Sequence, residues 1–484
     1  MTESLYEVKA ESAEQAPSVR WALVSLSLSM LMPSLDTSIA NVGLPTLAHA
    51  FTASFHEVQW VVLAYLLAIT SLIVSVGRLG DIIGHRRLLL AGICLFTVAS
   101  LLCGLAPTLW LLIAARAAQG LGAAIMLALT IALVGNTVPK ARTGSAMGLL
   151  GTMSAIGTAL GPSLGGFLIA GAGWRTIFLV NVPLGILNFS LAHRYLPVDY
   201  RKPKANQAGF DNLGTLLLAL TLAAYALAMT IGRGHFSGLN IALLSVAVFG
   251  AGIFVLAESR AASPLIRLTA FRNAGLSASL AMNALVSTVM MATLVIGPFY
   301  LSRALGLQPA FVGLIMSVGP IISTLSGVLA GRIVDRVGAP FITRFGLIEM
   351  AAGSFALTTL PAIFGITGYI AAIVVLTPGY QLFQAANNTA VMNDVIPNQR
   401  GIISGMLSLS RNLGLITGAS FMGTVFALAS ATNDITTARP EAVAIGMRTT
   451  FAVAAGLIVI ALTIAVGSRA REQGDEAKGV LEQP

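Results

Sequence analysis

Two ionisable side chains stand out because apolar sequence surrounds both. Asp36 follows a continuous apolar stretch that begins at Ala22, and Arg116 opens the segment RAAQGLGAA inside another. Ionising a carboxylate in hydrocarbon costs at least roughly 2.5–3.5 kcal/mol, so Asp36 calls for a proton, a cation or an arginine. Counted from the ends of their stretches, the two residues lie about 14 and 11 Å down their helices, at 1.5 Å per residue. They can meet. In a cavity that alternates between wet and dry, such a pair can take up and release a proton. The plainer alternative is a static ion pair that locks one helix against another.

Uncharged polar residues cluster further along. Gln381, Gln384, Asn387 and Asn388 fall in TPGYQLFQAANNTAVMND, and Asn283 sits in an earlier apolar run. They suit either a cavity wall or hydrogen bonds between helices. Arg411 is a second cation in apolar sequence and needs an acceptor. Glu349 is expected to pair locally or to reach a polar boundary.

The elements that hold these residues are set by composition. Hydrophobic residues make up 56% of the chain and charged residues 10%, against roughly 25% charged in soluble domains. Apolar runs of about 20 residues recur throughout, the length a membrane helix needs. Strand-like alternation is absent, which excludes a membrane barrel. Cutting at polar breaks predicts fourteen spans at 21–45, 57–77, 88–106, 109–135, 143–170, 176–195, 210–231, 238–257, 275–301, 308–331, 341–361, 364–391, 401–429 and 449–467. The first span is expected to stay as an anchor, because acidic residues dominate the stretch before it.

Charge sets the orientation. With the N-terminus inside, 21 of the 28 Lys and Arg fall on the cytoplasmic side, five outside, and two, Arg116 and Arg411, within spans. That asymmetry predicts both termini in the cytoplasm. The net charge of +9 therefore belongs beside a membrane rather than on nucleic acid. Cys94 and Cys103, about 13 Å apart on one helix, are too distant for a disulfide. No cluster of metal-ligating residues is present.

An internal repeat organises the chain. GRLGDIIGHRR after the second span has Gly77, Asp81 and Gly84, followed by Arg86 and Arg87; GRIVDRVGAP after the tenth has Gly331, Asp335 and Gly338. Gly157-x-x-x-Gly161 in the fifth span is echoed by Gly414-x-x-x-Gly418 in the thirteenth. Two bundles of six spans, 21–195 and 275–467, are thus expected around an inserted pair within 196–274, with cytoplasmic tails at 1–20 and 468–484. Asp81 and Asp335 lie near the expected starts of spans 13 and 5, where a carboxylate can hold a positive helix N-terminus across the bundle interface and gate its opening. Capping of their own loops is the alternative. Gly157, Gly161, Pro162, Gly165 and Gly166 strip side chains from the fifth span and allow very close helix approach. Gly161 to Gly165 also fits the pattern G-x-S-x-G, but a membrane span without an intramembrane His cannot form a nucleophile elbow.

LDTSIANVGLP (35–45), GRLGDIIGHRR (77–87), RAAQGLGAA (116–124), GTALGPSLGG (157–166) and WRTIFLVNVPLG (174–185) occur in the order seen in one family. Over residues 20 to 467 the chain resembles the fourteen-span drug:proton antiporters of the major facilitator superfamily. The resemblance implies an all-α membrane protein with two six-helix bundles plus two inserted helices, in a bacterial cytoplasmic membrane. It implies export of toxic small molecules, driven by a proton gradient without a cofactor, by a monomer in contact with lipid; a lipophilic cation would suit Asp36, while the net-positive chain and Arg116 leave anions open. It assigns proton coupling to Asp36 and Arg116, and makes the glycine motif of the fifth span a seal against proton leakage. Transport of one physiological solute is the other reading. The lack of nucleotide-binding or zinc-protease motifs, and of any loop much beyond about fifteen residues, weighs against an enzyme or an ATP-driven pump.

Overall fold

The computed structural model describes residues 2–137, 143–197, 212–230, 237–261, 273–393, 400–430 and 438–481, and among them only helices form. The first bundle comprises α1 (Thr2–Ala50), α2 (Phe55–Ile83), α3 (His85–Leu105), α4 (Leu109–Thr137), α5 (Thr143–Ala172), and the pair α6 (Thr176–Leu179) and α7 (Asn181–Tyr195). The inserted pair is α8 (Asn212–Thr230) and α9 (Gly238–Arg260). The second bundle comprises α10 (Ala274–Phe299), α11 (Pro309–Met316), α12 (Val318–Val337), α13 (Ala339–Asn393), α14 (Arg400–Thr417), α15 (Gly423–Ala429) and α16 (Pro440–Leu481). Short π-helical turns at Tyr300–Ala304 and Gly418–Met422 join α10 to its exit and α14 to α15.

Among the described residues, twelve helices are long and apolar enough to cross a membrane, against the fourteen expected. The difference has two local causes. Ala339–Val391 forms a single 53-residue apolar helical run, interrupted only at Gly365, whose φ of 57° and ψ of −126° are not helical. Its two limbs lie antiparallel: a Cβ on Gly353 would meet the backbone of Leu376, and one on Gly368 the carbonyl of Leu360. In the seventh expected span, only Leu213–Met229 is apolar helix, shorter than the rest. At the other extreme α1 extends N-terminal of its apolar part, Val19–Ala50; the side chains of residues 2–18 are outside the description.

The repeat has a structural counterpart. α1 packs along α5 as α10 does along α14, and α3 against α7 as α13 does against α16. Cβ atoms at Gly157 and Gly161 would strike Leu31 O and Ser38 of α1; at Gly414 and Gly418 they would strike Ala284 O and Thr288 O of α10. This register aligns Ser34 with Ser287 and Asp36 with Val289, which is fully buried. Gly84 (φ 107°) and Gly338 (φ 95°) end α2 and α12 in a conformation L-residues avoid, so both turns need glycine.

The inserted pair lies outside both bundles. α8 packs on α2, where Ser75 and Thr215 hydroxyls lie 2.7 Å apart, and on the π-turn before α15, and Thr424 of α15 donates to the carbonyl of Met229. The two bundles meet firmly at the end where α1 passes into α2. There Phe55 stands edge-on to Phe299 at 4.8 Å and to Phe426 at 5.4 Å, and Gln59 donates to Ala419 O at 2.8 Å. Gly166 admits Pro309 O and Gly313 of α11 to the same contact.

Candidate functional site

Asp36 and Arg116 come together in the first bundle, both without solvent exposure. The helix leaves Asp36 no local partner, so its three hydrogen-bond partners come from two other elements. Arg116 of α4 donates through Nη1 to Oδ2, Gln119 one turn on donates to Oδ1 at 2.8 Å, and Asn181 at the head of α7 donates to the same oxygen at 2.8 Å. Arg116 also bonds Val61 O at 2.9 Å through Nε and Gln119 Oε1 at 2.6 Å, and its guanidinium lies 4.2 Å from the centre of the Tyr65 ring. Gln119 extends the network to Ser100 of α3 at 2.8 Å. A desolvated ion pair is tolerable when further hydrogen bonds support it, and here both Asp36 oxygens and Nε and Nη1 of Arg116 are bonded. Asn181 Oδ1 and Asn41 Oδ1 are buried without a hydrogen bond.

The second feature is a cavity of about 570 Å³ between α5 and the second bundle. Asn283, Gln381, Gln384, Asn388 and Arg411 line it. Asn283 donates to Leu407 O at 3.0 Å, Gln381 to Ser323 Oγ, and Gln384 to Tyr380 Oη at 3.0 Å. Asn388 and Arg411 are exposed to it rather than enclosed by protein acceptors. Asn387 does not belong to the wall: it is buried and turned toward Ser279 O of α10, because one residue of helix rotates the side chain by roughly 100°. Tyr369, Met290 and Met316 complete an amphipathic lining.

Asp36 is absent from that lining, yet α5 connects the two places. Ser34 and Ser154 hydroxyls are 2.7 Å apart, and Ser38 donates to Thr158 O at 2.8 Å. Ser34 and Ser38 flank Asp36 at two residues on either side, while Ser154 and Thr158 face the cavity. Gly157, Gly161 and Gly165 make this approach possible on the side toward α1; Gly166 instead faces α11, and the carbonyl of Pro162 sits against Gly313.

The expected gating residues are only partly described. Gly77 lies within α2, and the side chain of Asp81 is outside the description, as are residues 138–142 and 394–399, which precede the expected starts, at 143 and 401, of the spans that Asp335 and Asp81 are expected to hold. Asp335 and Arg87 are exposed, Gly331 has open space beside it, and Arg86 bonds His193 O. Sequence reasoning missed Gln119, Asn181 and Tyr65. Gln119 carried a signal, since it stands three residues from Arg116 on the same helical face.

Three comparisons bear on this arrangement. The sequence profile described as Major Facilitator Superfamily matches residues 26–419. The chain is 30% identical over 450 residues to the riboflavin transporter RibZ of Clostridioides difficile, covering 92% of this chain and 97% of that one. It is 32% identical over 414 residues to the multidrug resistance protein Stp of Mycobacterium tuberculosis, covering 84% and 75%. Among solved structures, the nucleoside transporter NupG superposes with a TM-score of 0.66 at 14% identity, covering 92% and 99%, a likeness of fold alone.

Proposed function

The chain belongs to the major facilitator superfamily and is a multi-pass membrane transporter, and from that premise we propose that it is a proton-coupled antiporter that exports drugs or other toxic small molecules by alternating access. The observation that carries the reading is the buried, hydrogen-bonded Asp36–Arg116 pair, linked through Ser34 and Ser38 to a cavity wall that Asp36 does not itself touch. Protonation of Asp36 removes the charge that Arg116, Gln119 and Asn181 hold, and so loosens α1 from α4 and α7. Movement of α1 carries α5 with it and reshapes the cavity. The contact of Phe55 with Phe299 and Phe426 is the closure that must part for release on the far side. Small-residue contact of α5 with α1 seals the bundle against proton leakage, and Asp81 and Asp335 gate the opposite end.

We take the protein as a fourteen-span monomer of the drug:proton antiporter type, in a bacterial inner membrane with both termini in the cytoplasm. The count follows if the antiparallel limbs of α13 are two crossings and Leu213–Met229 is one; the orientation follows from the cation distribution. Similarity to several efflux pumps supports export. A toxic-compound panel in cells lacking their main pumps tests the reading. Expression should raise resistance to at least one compound, and a protonophore should abolish the efflux. Resistance indifferent to the protonophore overturns it.

A second reading, transport of one physiological solute, is favoured by the uncharged amides and hydroxyls of the cavity and by the relative named as a riboflavin transporter. Saturable movement of one compound with no response across the panel would select it.

A further inference from the structure

The wall of the cavity is chemically one-sided. Among the described residues, Arg411 is the single charged side chain that lines it, and no carboxylate does. It stands about 16 Å along the helix from Arg400, well inside the membrane-spanning part, where an arginine without an anion is costly. Among the described residues no carboxylate forms an ion pair with it, and it is exposed to the cavity. The carboxylate one might expect to attract a cationic cargo is Asp36, but both its oxygens are taken by Arg116, Gln119 and Asn181, with no surface exposed. A molecule in the cavity therefore meets one positive charge and several neutral donors and acceptors.

We propose that the cavity recognises an amphipathic aromatic solute bearing an anionic group, with Arg411 as the residue that binds the anion. The guanidinium offers forked donors that match a carboxylate or sulfonate. Tyr369 and Tyr380 supply aromatic surfaces, Met290 and Met316 adaptable apolar ones, and Gln384 an amide at the same wall. The volume of about 570 Å³ suits a single drug-sized molecule. This substrate class rests on the transport reading above, but the binding step needs no gradient and is separable from it.

Fluorescein and rhodamine 6G share a tricyclic ring and differ in the sign of their charge, so they serve as probes for the full-length protein in detergent. Fluorescence anisotropy should show tighter binding of fluorescein. Arg411→Gln should weaken fluorescein binding roughly tenfold or more, the usual effect of losing a charge-assisted hydrogen bond, and leave rhodamine 6G unchanged or tighter; Arg411→Lys should restore much of the loss. Equal or tighter binding of rhodamine 6G to the wild type, binding of neither dye, or an unchanged fluorescein affinity in Arg411→Gln overturns the proposal. Competition by phosphatidylglycerol without fluorescein counterflow in proteoliposomes would assign the anion site to lipid headgroups and overturn it too. Asp36→Asn separates the two readings: retained fluorescein binding with undiminished gradient-driven transport would remove Asp36 from coupling and leave the anion site standing.

Discussion

The hydroxyls of Ser34 and Ser154, 2.7 Å apart, tie the helix that carries Asp36 to the helix that walls the cavity. Asp36 and the cavity thus lie apart, and α5 touches the surroundings of both: toward α1 it presents glycines and a carbonyl, toward the cavity Ser154 and Thr158. On the antiporter reading proposed above, exchange needs no competition between proton and cargo for one carboxylate.

Asp36→Asn keeps the size of the side chain but leaves Arg116 without its counter-charge. Breaking a buried pair costs about 3–5 kcal/mol, so the variant should insert and fold with a lowered melting temperature. Efflux driven by an imposed pH gradient in proteoliposomes should vanish. A wild-type rate would exclude Asp36 as the coupling group.

Ser154→Ala removes one hydrogen bond, worth about 1 kcal/mol. Affinity for cargo should change by less than about fivefold on that figure, whereas gradient-driven exchange should slow. Equal losses in binding and exchange would mean that Ser154 contacts cargo and does not relay movement.

Gly161→Ala places a methyl group 2.5 Å from Ser38 Cβ and 2.9 Å from Ile39 N, so α5 must part from α1. Overpacking of this kind costs roughly 1–3 kcal/mol. Gly151→Ala meets nothing within 4 Å and serves as the control. Thermal unfolding should separate the two variants, and proton leak into liposomes should rise only in Gly161→Ala. Identical behaviour of the pair would remove the sealing role of the close contact.

Orientation is checked by single cysteines at Arg87 and Glu57, near opposite ends of the first bundle. With the cytoplasmic N-terminus proposed above, a membrane-impermeant thiol reagent in intact cells should label the second and spare the first. The reverse pattern inverts the topology.

Much of this architecture is readable from the chain because polar breaks punctuate it, and because Asp36 and Arg116 are charges with no reason to lie in hydrocarbon except each other. The repeat was readable for the same kind of reason: Gly84 and Gly338 occupy backbone conformations that only glycine takes easily. Helix rotation was not. Gln384 faces the cavity and Asn387 faces α10, yet both are amides in one polar stretch, and nothing in their spacing sets the phase of the helix. The Phe55, Phe299 and Phe426 closure joins residues from three distant helices, each an ordinary phenylalanine in apolar sequence. The span count diverged where continuous helical geometry on either side of Gly365 outlasts the turn in the chain.

The alignment of Val289 with Asp36 has a thermodynamic consequence. On the antiporter reading proposed above, a carboxylate at this position in both bundles would let two protons ride each cycle, whereas Asp36 alone offers a site for one. At equal pH on both sides, a single charge falling through about 100 mV releases roughly 2.3 kcal/mol, enough to sustain a concentration ratio of about fiftyfold for an uncharged solute. A steeper gradient needs further charge movement per turnover, and at the place symmetry reserves for it the chain carries a buried valine.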